Sequence, residues 1–386
     1  MTLSKTLAVS IGFVFHLLLM LVSGTVHPTM QRASSLVRTV AVVGGTHGNE
    51  YTGVFCVKAL ERQLSKGNAS ASYPFQISTL IGNPEAFKAN KRFVDQDLNR
   101  QFSGAAMAAA KASLPSALSV EQRRAIEIDD LLGPKFGGSG DEGTNKPPAM
   151  DFIIDLHTTT SNMHTSLIVG QGDPLTTQAA AYVMHKCREK NFNVCIMMHT
   201  HKNQEARPNL ATIAPHSFTI EIGPVPQGVL RHDKVEEMQA ALNSALEFLK
   251  RHEKEPEKLL DELKECYPTG RIPCYRSAAA IRKGEMSAKL VWPSDPDNEN
   301  FPQWLVHKDV QDQDFKEIKT GDPLFVDLDG EVIPYDGSHG SPILVMFVNE
   351  GGYYYASSGT GISIAQRDEF DLATGTLIPK NNSDTK

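Results

Sequence analysis

The residues best suited to chemistry begin in Gly44-Gly45-Thr46-His47-Gly48-Asn49-Glu50. His47 and Glu50 stand three apart where the apolar run TVAVVGG gives way to Val54, Val57, Leu60 and Leu64 at helical spacing. A strand-to-helix junction of this kind delivers an imidazole nitrogen and a carboxylate oxygen to one side, where both could ligate one Zn²⁺. Spacing alone decides little. With 13 histidines and 45 acids in 386 residues, roughly 1.5 His-x-x-acid pairs arise by chance. The second such pair, His252/Glu255, lies in RHEKEPEK and reads as a solvated charge run. The first follows a buried strand and is ringed by glycines, as strand-end sites of open α/β sheets are.

Asp155-Leu156-His157 closes the apolar run FIIDLH. A strand there brings His157 to the same carboxyl edge as His47, with Asp155 placed to orient it; the bland alternative is a core histidine satisfied by backbone. Two histidines and one carboxylate leave a fourth position for water, the arrangement of a catalytic zinc, and there is no Cys-x-x-Cys for a structural one. SFTIEIGP places Glu221 between Ile220 and Ile222. A carboxylate there is costly unless paired or working. It is either a buried ion pair or a general base for water and then an acid for a leaving amine. The stretch from Arg92 to Arg100, RFVDQDLNR, offers guanidinium forks for a planar carboxylate or a surface ion-pair loop.

These residues need a frame. QISTLIG, FIIDLH, SLIVG, VCIMM and SFTIEIG read as strands alongside TVAVVGG, with helices between them and Asn49 as an expected N-cap. KVEEMQAALNSALEFLKRH repeats Val235, Met238, Leu242, Leu246 and Leu249 at helical spacing. Strands alternating with helices predict an α/β domain over residues 30–255 with a largely parallel sheet. Ala105–Ala117 and Gly137–Met150 read as surface insertions. From 256 to 378, short apolar segments broken by turn residues predict a smaller β-rich C-terminal domain, followed by a disordered tail at 379–386.

Composition excludes several classes. Hydrophobic residues are 40% and charged residues 22%, so disorder, collagen and coiled coil are ruled out. A net charge of −7 argues against binding nucleic acid by bulk electrostatics. Five cysteines are too few for a disulfide scaffold; only Cys266 and Cys274 invite a bridge. Residues 1–29 form a hydrophobic, signal-like segment around TLAVSIGFVFHLLLMLV. Three readings stay open: a cleaved signal, an uncleaved anchor that would bring the chain to a membrane, and an upstream extension of no consequence. The first two imply a secreted or membrane-associated protein, the third a cytoplasmic one. Asn68-Ala69-Ser70 and Asn381-Asn382-Ser383 fit the glycosylation pattern.

Six blocks in order, GGTHGNE, DQDLNR, DLHTTTSNM, EIGPVPQGVLR, DVQDQDF and VNEGGYYY, span about Val40 to Tyr355. Together they resemble the aspartoacylase/aminoacylase-3 branch of the zinc carboxypeptidase-like superfamily. The resemblance implies a mixed sheet flanked by helices, with the β-rich C-terminal domain closing over the site. It implies one Zn²⁺ per subunit on His47, Glu50 and His157, and hydrolysis of N-acyl amino acids with Glu221 as base and acid. Arg92 would polarise the scissile carbonyl, Asn99 and Arg100 would hold the α-carboxylate, Tyr353 would contact substrate, and Asp97 and Asp155 would support the ligands. Two positions depart from the pattern. Ala211 stands where aspartoacylases carry an arginine ten residues before the catalytic glutamate, and Thr158 replaces an asparagine. The missing arginine shifts the expectation from N-acetylaspartate towards neutral or aromatic N-acetyl amino acids. A metallocarboxypeptidase and a non-catalytic binding protein are the competing readings. The expected partner is the small substrate, and a homo-oligomer is compatible.

Overall fold

The computed structural model describes residues 36–66, 72–135, 147–199, 204–278, 288–355 and 361–379. Its architecture is that of the body beginning at Val37. The signal-like segment at 1–29, both sequons and nearly all of the expected tail lie outside the described residues.

Strand β1 (Thr39–Gly44) leads through the His47 turn into helix α1 (Tyr51–Ser65) and β2 (Gln76–Ile81). Helices α2 (Pro84–Ala89), α3 (Gly104–Ala112) and α4 (Val120–Leu132) come next. They are followed by β3 (Phe152–Thr158), β4 (Thr165–Gly170), α5 (Pro174–Arg188), β5 (Val194–His199), β6 (His216–Ile222) and α6 (His232–Lys254). Every strand expected from an apolar run forms, within one residue of its expected bounds. The sheet order is β2-β1-β3-β6-β4-β5. It is mixed: β1, β2, β3 and β6 are mutually parallel, and β4 runs antiparallel to β6. The cause is the short link from β3 to β4, only Thr159–His164, since a parallel return needs about a dozen residues or more.

The two faces of β3 divide the core. Ile154 and Leu156 turn towards α1, α5 and α6, where Val57, Leu60, Tyr182, Leu242, Leu246 and Leu249 are buried with them. On the other face Ile153 packs with Ala41, Val43, Leu98, Ile128 and Leu210. Each fully buried leucine or isoleucine contributes about 1.5–3 kcal/mol, so the long apolar stripe of α6 anchors its side of the sheet. The Ala105–Ala117 stretch lies at the surface, as expected, but it is not irregular: Ser103 caps the first turn of α3, which is buried only at Ala110 and at Met107, a member of the second core.

Beyond α6 the chain stays with the same body at first. Helix α7 (Pro256–Cys266) sinks Leu259 and Leu263 into the α6 side of the core. Strand β7 (Arg271–Ser277) then joins β5 in parallel. The β-rich region follows: β8 (Lys289–Leu290), β9 (Ser294–Asp295), β10 (Asn298–Pro302), β11 (Leu305–Val306), β12 (Glu317–Ile318), β13 (Pro323–Val326), β14 (Val332–Pro334), β15 (Ile343–Met346) and β16 (Ile362–Asp371). It has its own core of Trp292, Leu324, Phe325, Tyr335, Val345 and Ile364. Long β16 returns antiparallel to β7 and carries β15 and β12 with it, so the β-rich region is hydrogen-bonded to the catalytic sheet. Cys266 and Cys274 do not pair; all five cysteines are free thiols. Among the described residues, no helix is long and apolar enough to cross a membrane.

Candidate active site

The His47 turn is fixed by close backbone approach. A Cβ on Gly48 would lie 2.2 Å from the backbone of Ala86 and Phe87, so only glycine lets the turn seat against α2. Gly53, in the first turn of α1, brings the helix against Leu156 of β3, where a Cβ would be 2.6 Å from its carbonyl oxygen. That approach carries Glu50 to the end of β3. Asn49 does not cap α1, as had been expected: Glu50 occupies the N-cap position, and Asn49 Nδ2 donates to Gln227 Oε1 at 3.0 Å.

His47, Glu50 and His157 converge. All three are buried, and one ligand atom from each lies within 4.8 Å of the others. Glu50 Oε1 is 2.6 Å from His47 Nδ1, Glu50 Oε2 is 3.0 Å from His157 Nδ1, and the two Nδ1 atoms face each other at 3.3 Å. The outer ring nitrogens are both held by carboxylates: His47 Nε2 is 3.0 Å from Asp97 Oδ1, and His157 Nε2 is 2.9 Å from Asp155 Oδ2. A carboxylate on Nε2 keeps the proton there and turns the Nδ1 lone pair inward. Two inward lone pairs at 3.3 Å suit a shared cation, since tetrahedral bonds of about 2.0–2.1 Å to nitrogen separate two ligands by about 3.3 Å.

The electrostatics agree. Burial alone would raise the Glu50 carboxyl, but His47 and His157 outweigh it and hold it well below the usual range. Burial opposes a charge on His157, yet Asp155 and Glu50 drive the imidazole well above its ordinary pKa. The cluster therefore demands positive charge at its centre, and the donor set fits a zinc ion.

Asp97 ties this centre to the next loop. Its Oδ1 faces His47 and accepts from the Asn99 amide at 2.8 Å, while Oδ2 accepts from Arg92 Nη2 at 3.2 Å. Burial would raise its carboxyl; His47, Arg92 and Arg100 together hold it far down. Arg92 is buried, with Nη1 3.5 Å from Glu50 Oε1. Arg100 is exposed, and its Nη1 donates to the Asn99 carbonyl at 3.0 Å. Asn99 is buried, and its Oδ1 accepts from the Leu210 amide at 2.9 Å. Glu221 on β6 is the cross-strand neighbour of His157 on one side and Ser166 on the other. Burial, with His157 opposing and Glu50 and Glu350 assisting, pushes its carboxyl up to about 8. Tyr353 packs against the core of the β-rich region, with its hydroxyl 2.6 Å from Ser363 Oγ.

Sequence reasoning missed three supporting residues. Glu350, beside the quoted Tyr353, reaches from the β-rich region to the loop after His157. Its Oε2 accepts from the Thr160 amide at 2.9 Å, the Thr160 hydroxyl at 3.0 Å and the Thr159 hydroxyl. Glu121, wholly buried, accepts from the amides of Val94, Asp95 and Gln96 and so shapes the Arg92 loop. Lys135 Nζ donates to the carbonyls of Phe102 and Arg207 and to Thr212 Oγ1. For Glu350 alone a signal existed, an acid in a block already singled out. The other two sit in ordinary helical or turn context.

Residues 37–249 match the Succinylglutamate desuccinylase/Aspartoacylase catalytic domain, and residues 285–360 the AstE/AspA barrel-sandwich hybrid domain. The chain is 33% identical to the N-acyl-aromatic-L-amino acid amidohydrolase (carboxylate-forming) A of Danio rerio, over 82% of this chain and 85% of that one. It is 33% identical to the aspartoacylase of Rattus norvegicus, over 83% and 91% respectively. The crystal structure of murine aminoacylase 3 superposes with a TM-score of 0.66 at 25% identity, over 89% of this chain and 99% of that one. With its mixed sheet, its hybrid domain and its buried His-Glu-His group, the chain belongs to the succinylglutamate desuccinylase/aspartoacylase family and is a hydrolase.

Proposed function

We propose that the protein hydrolyses the amide bond of N-acyl, mainly N-acetyl, L-amino acids, with one Zn²⁺ held by His47, Glu50 and His157. The observation that carries this reading is the facing pair of Nδ1 atoms, each backed by a carboxylate on the opposite ring nitrogen, with Glu221 in the neighbouring register position. When bound, zinc supplies acidified water and a polarised carbonyl. The chain's own residues supply the rest. Glu221 takes the proton from the attacking water and delivers it to the amide nitrogen as the C–N bond breaks, giving a carboxylate and a free amine. Burial raises its proton affinity, which suits a group that must both accept and donate. Arg92, pinned by Asp97, presents its guanidinium to the charge that develops on the carbonyl oxygen. Arg100, with a largely free guanidinium at the rim, takes the substrate α-carboxylate together with the Asn99 side chain. Tyr353 contributes only if its hydroxyl leaves Ser363, and we assign it the edge of the substrate pocket.

The substrate class follows from Ala211. It is buried in the core beside Leu210 and Ile213, so nothing at that position meets a side-chain carboxylate on a short arm. This supports neutral or aromatic N-acetyl amino acids over N-acetylaspartate. We also assign residues 1–29 a targeting role, to be read by fractionating cells that express the chain with and without them. Acetate release from N-acetyltyrosine, N-acetyl-S-alkylcysteine and N-acetylaspartate, with and without chelator, tests the catalytic reading. Turnover of the first two that stops with chelator and returns with zinc is expected. Chelator-insensitive turnover overturns the metal assignment, and a strong preference for N-acetylaspartate overturns the substrate class.

A further inference from the structure

The face of the sheet that carries Glu221 is only half-buried along β4 and β6. Glu221, Thr219 and Ser217 alternate along one face of β6, and Ser166, Ile168 and Gly170 along the same face of β4. Of these only Ser166 is buried, whereas Leu167, Val169, Phe218, Ile220 and Ile222 on the opposite face are all sealed in the core. A half-buried strip therefore leads away from Glu221 over Thr219 and Ile168 to Gly170, bordered at Ile168 by the buried Met163, Met197 and Met346. The guanidinium of Arg207 lies at its far end, because a Cβ on Gly170 would point onto this face and fall 2.8 Å from Arg207 Nη1.

Arg207 is unprovided for. Among the described residues no carboxylate pairs with it, and its Nε is sealed from solvent with no hydrogen-bond partner. Burial pulls its pKa down to about 10 with no acid opposing the shift. A guanidinium in that position is stabilised by an anion arriving from outside. Gly170 lies four positions on from Ser166, the neighbour of Glu221, so the charge sits about 13 Å along the strip. An aspartyl side chain is far too short to span that from the scissile amide.

We infer that Arg207 is a specificity residue, selecting N-acyl amino acids that carry a second anionic group on an arm of roughly 10 Å or more. The inference rests on the amidohydrolase reading of the Glu221 end. The arm belongs either to the acyl group or to the amino-acid side chain; both place a carboxylate at the same guanidinium.

Two substrate pairs distinguish the sources: N-suberoyl- against N-octanoyl-L-phenylalanine, and N-acetyl-S-(5-carboxypentyl)- against N-acetyl-S-hexyl-L-cysteine. In the zinc-loaded full chain, the carboxylated member of one pair should be preferred. Arg207→Ala should lower that carboxylated-to-neutral ratio of kcat/KM by at least about tenfold. Gly170→Ala should lower it too, because the new methyl pushes the flexible end of Arg207 aside without touching backbone. Calorimetric titration with suberate gives a readout independent of turnover: binding to the native chain, weakened at least about tenfold in Arg207→Ala. Suberate binding without hydrolysis of any of the four compounds would sink the amidohydrolase reading and leave the anion site standing. A ratio and a suberate affinity both unchanged in Arg207→Ala would overturn the inference, even with all four substrates turned over.

Discussion

Glu221 on β6 and His157 on β3 are direct cross-strand partners in parallel strands. The proposed base is therefore set beside a proposed metal ligand by backbone hydrogen bonding, and no loop has to close to bring the two residues together. Glu221→Gln keeps the size and removes the proton acceptor. It should lower kcat by two to three orders of magnitude, roughly the scale of a general acid–base group, while zinc content stays at one per chain. Steady-state kinetics with metal analysis of the same preparation checks this. In the native chain kcat/KM should rise with pH as Glu221 deprotonates. Its carboxyl stands at about 8 before any cation is beside it, so a bound cation moves that midpoint lower. A pH profile of the Gln variant that keeps the same rising limb would assign the limb to another group.

Asp155 receives the Thr46 hydroxyl on Oδ1 at 2.8 Å and faces His157 Nε2 with Oδ2. Asp155→Asn preserves the shape but removes the charge that holds the His157 proton on Nε2. Zinc affinity should fall ten- to hundredfold, roughly the scale for carboxylates behind metal-bound histidines. Competition with a chromophoric chelator measures it, and an unchanged affinity would mean that Asp155 serves only the fold.

Much of this was readable in the residues. The strands are legible because β-branched apolar runs bounded by turn residues have few alternatives, and α6 because its apolar residues from Val235 to Leu249 repeat at helical spacing. The proposed metal group is legible because His47 and Glu50 lie in the turn that follows β1 and His157 stands near the end of β3, and parallel strands put those ends on one edge. What stayed hidden depends on partners distant in sequence. Glu121 and Lys135 act through backbone groups of other loops, and no local pattern marks a side chain that caps a turn 25 residues away, as Glu121 does for Gln96. The reversal of β4 is not marked in the strand's composition; its signal is the short Thr159–His164 connection, which the reading of a largely parallel sheet passed over. Ala105–Ala117 does lie at the surface, but its helix was not legible, because alanine is ambiguous and only Met107 and Ala110 turn inward.

Glu350 links the β-rich region to the loop that follows His157. It accepts from two amides and three hydroxyls of Thr159, Thr160 and Ser161. Glu350→Ala takes the shared acceptor from these donors, of which those of Thr159 and Ser161 are buried. The variant should lose about 2–4 kcal/mol of stability, in the range for breaking a buried charged network. It should also lose catalytic rate, because the loop it holds starts at the residue after Thr158, whose amide donates to Glu50 Oε2 at 2.9 Å. Denaturant melts and kinetics below the transition separate the two effects. A variant with native stability and a normal rate would show the link to be dispensable.

Asp314 gives a pH signature away from the catalytic group. Its Oδ1 accepts from the Val348 amide at 3.1 Å, and its Oδ2 is sealed with no partner. Burial pushes its carboxyl up to about 7, against about 3.9 in an unfolded chain. Between those values the folded state holds a proton that the unfolded state has lost. Stability is therefore greatest below about pH 4, falls as pH rises, and its loss is complete above about 7. Asp314→Asn removes the titration. At pH 8 the Asn variant should be more stable than the native chain by roughly 1–3 kcal/mol, and the gap should close towards pH 4. Urea midpoints at pH 5 and pH 8 measure it, and a gap that does not change between the two would mean that Asp314 keeps an ordinary pKa in the fold.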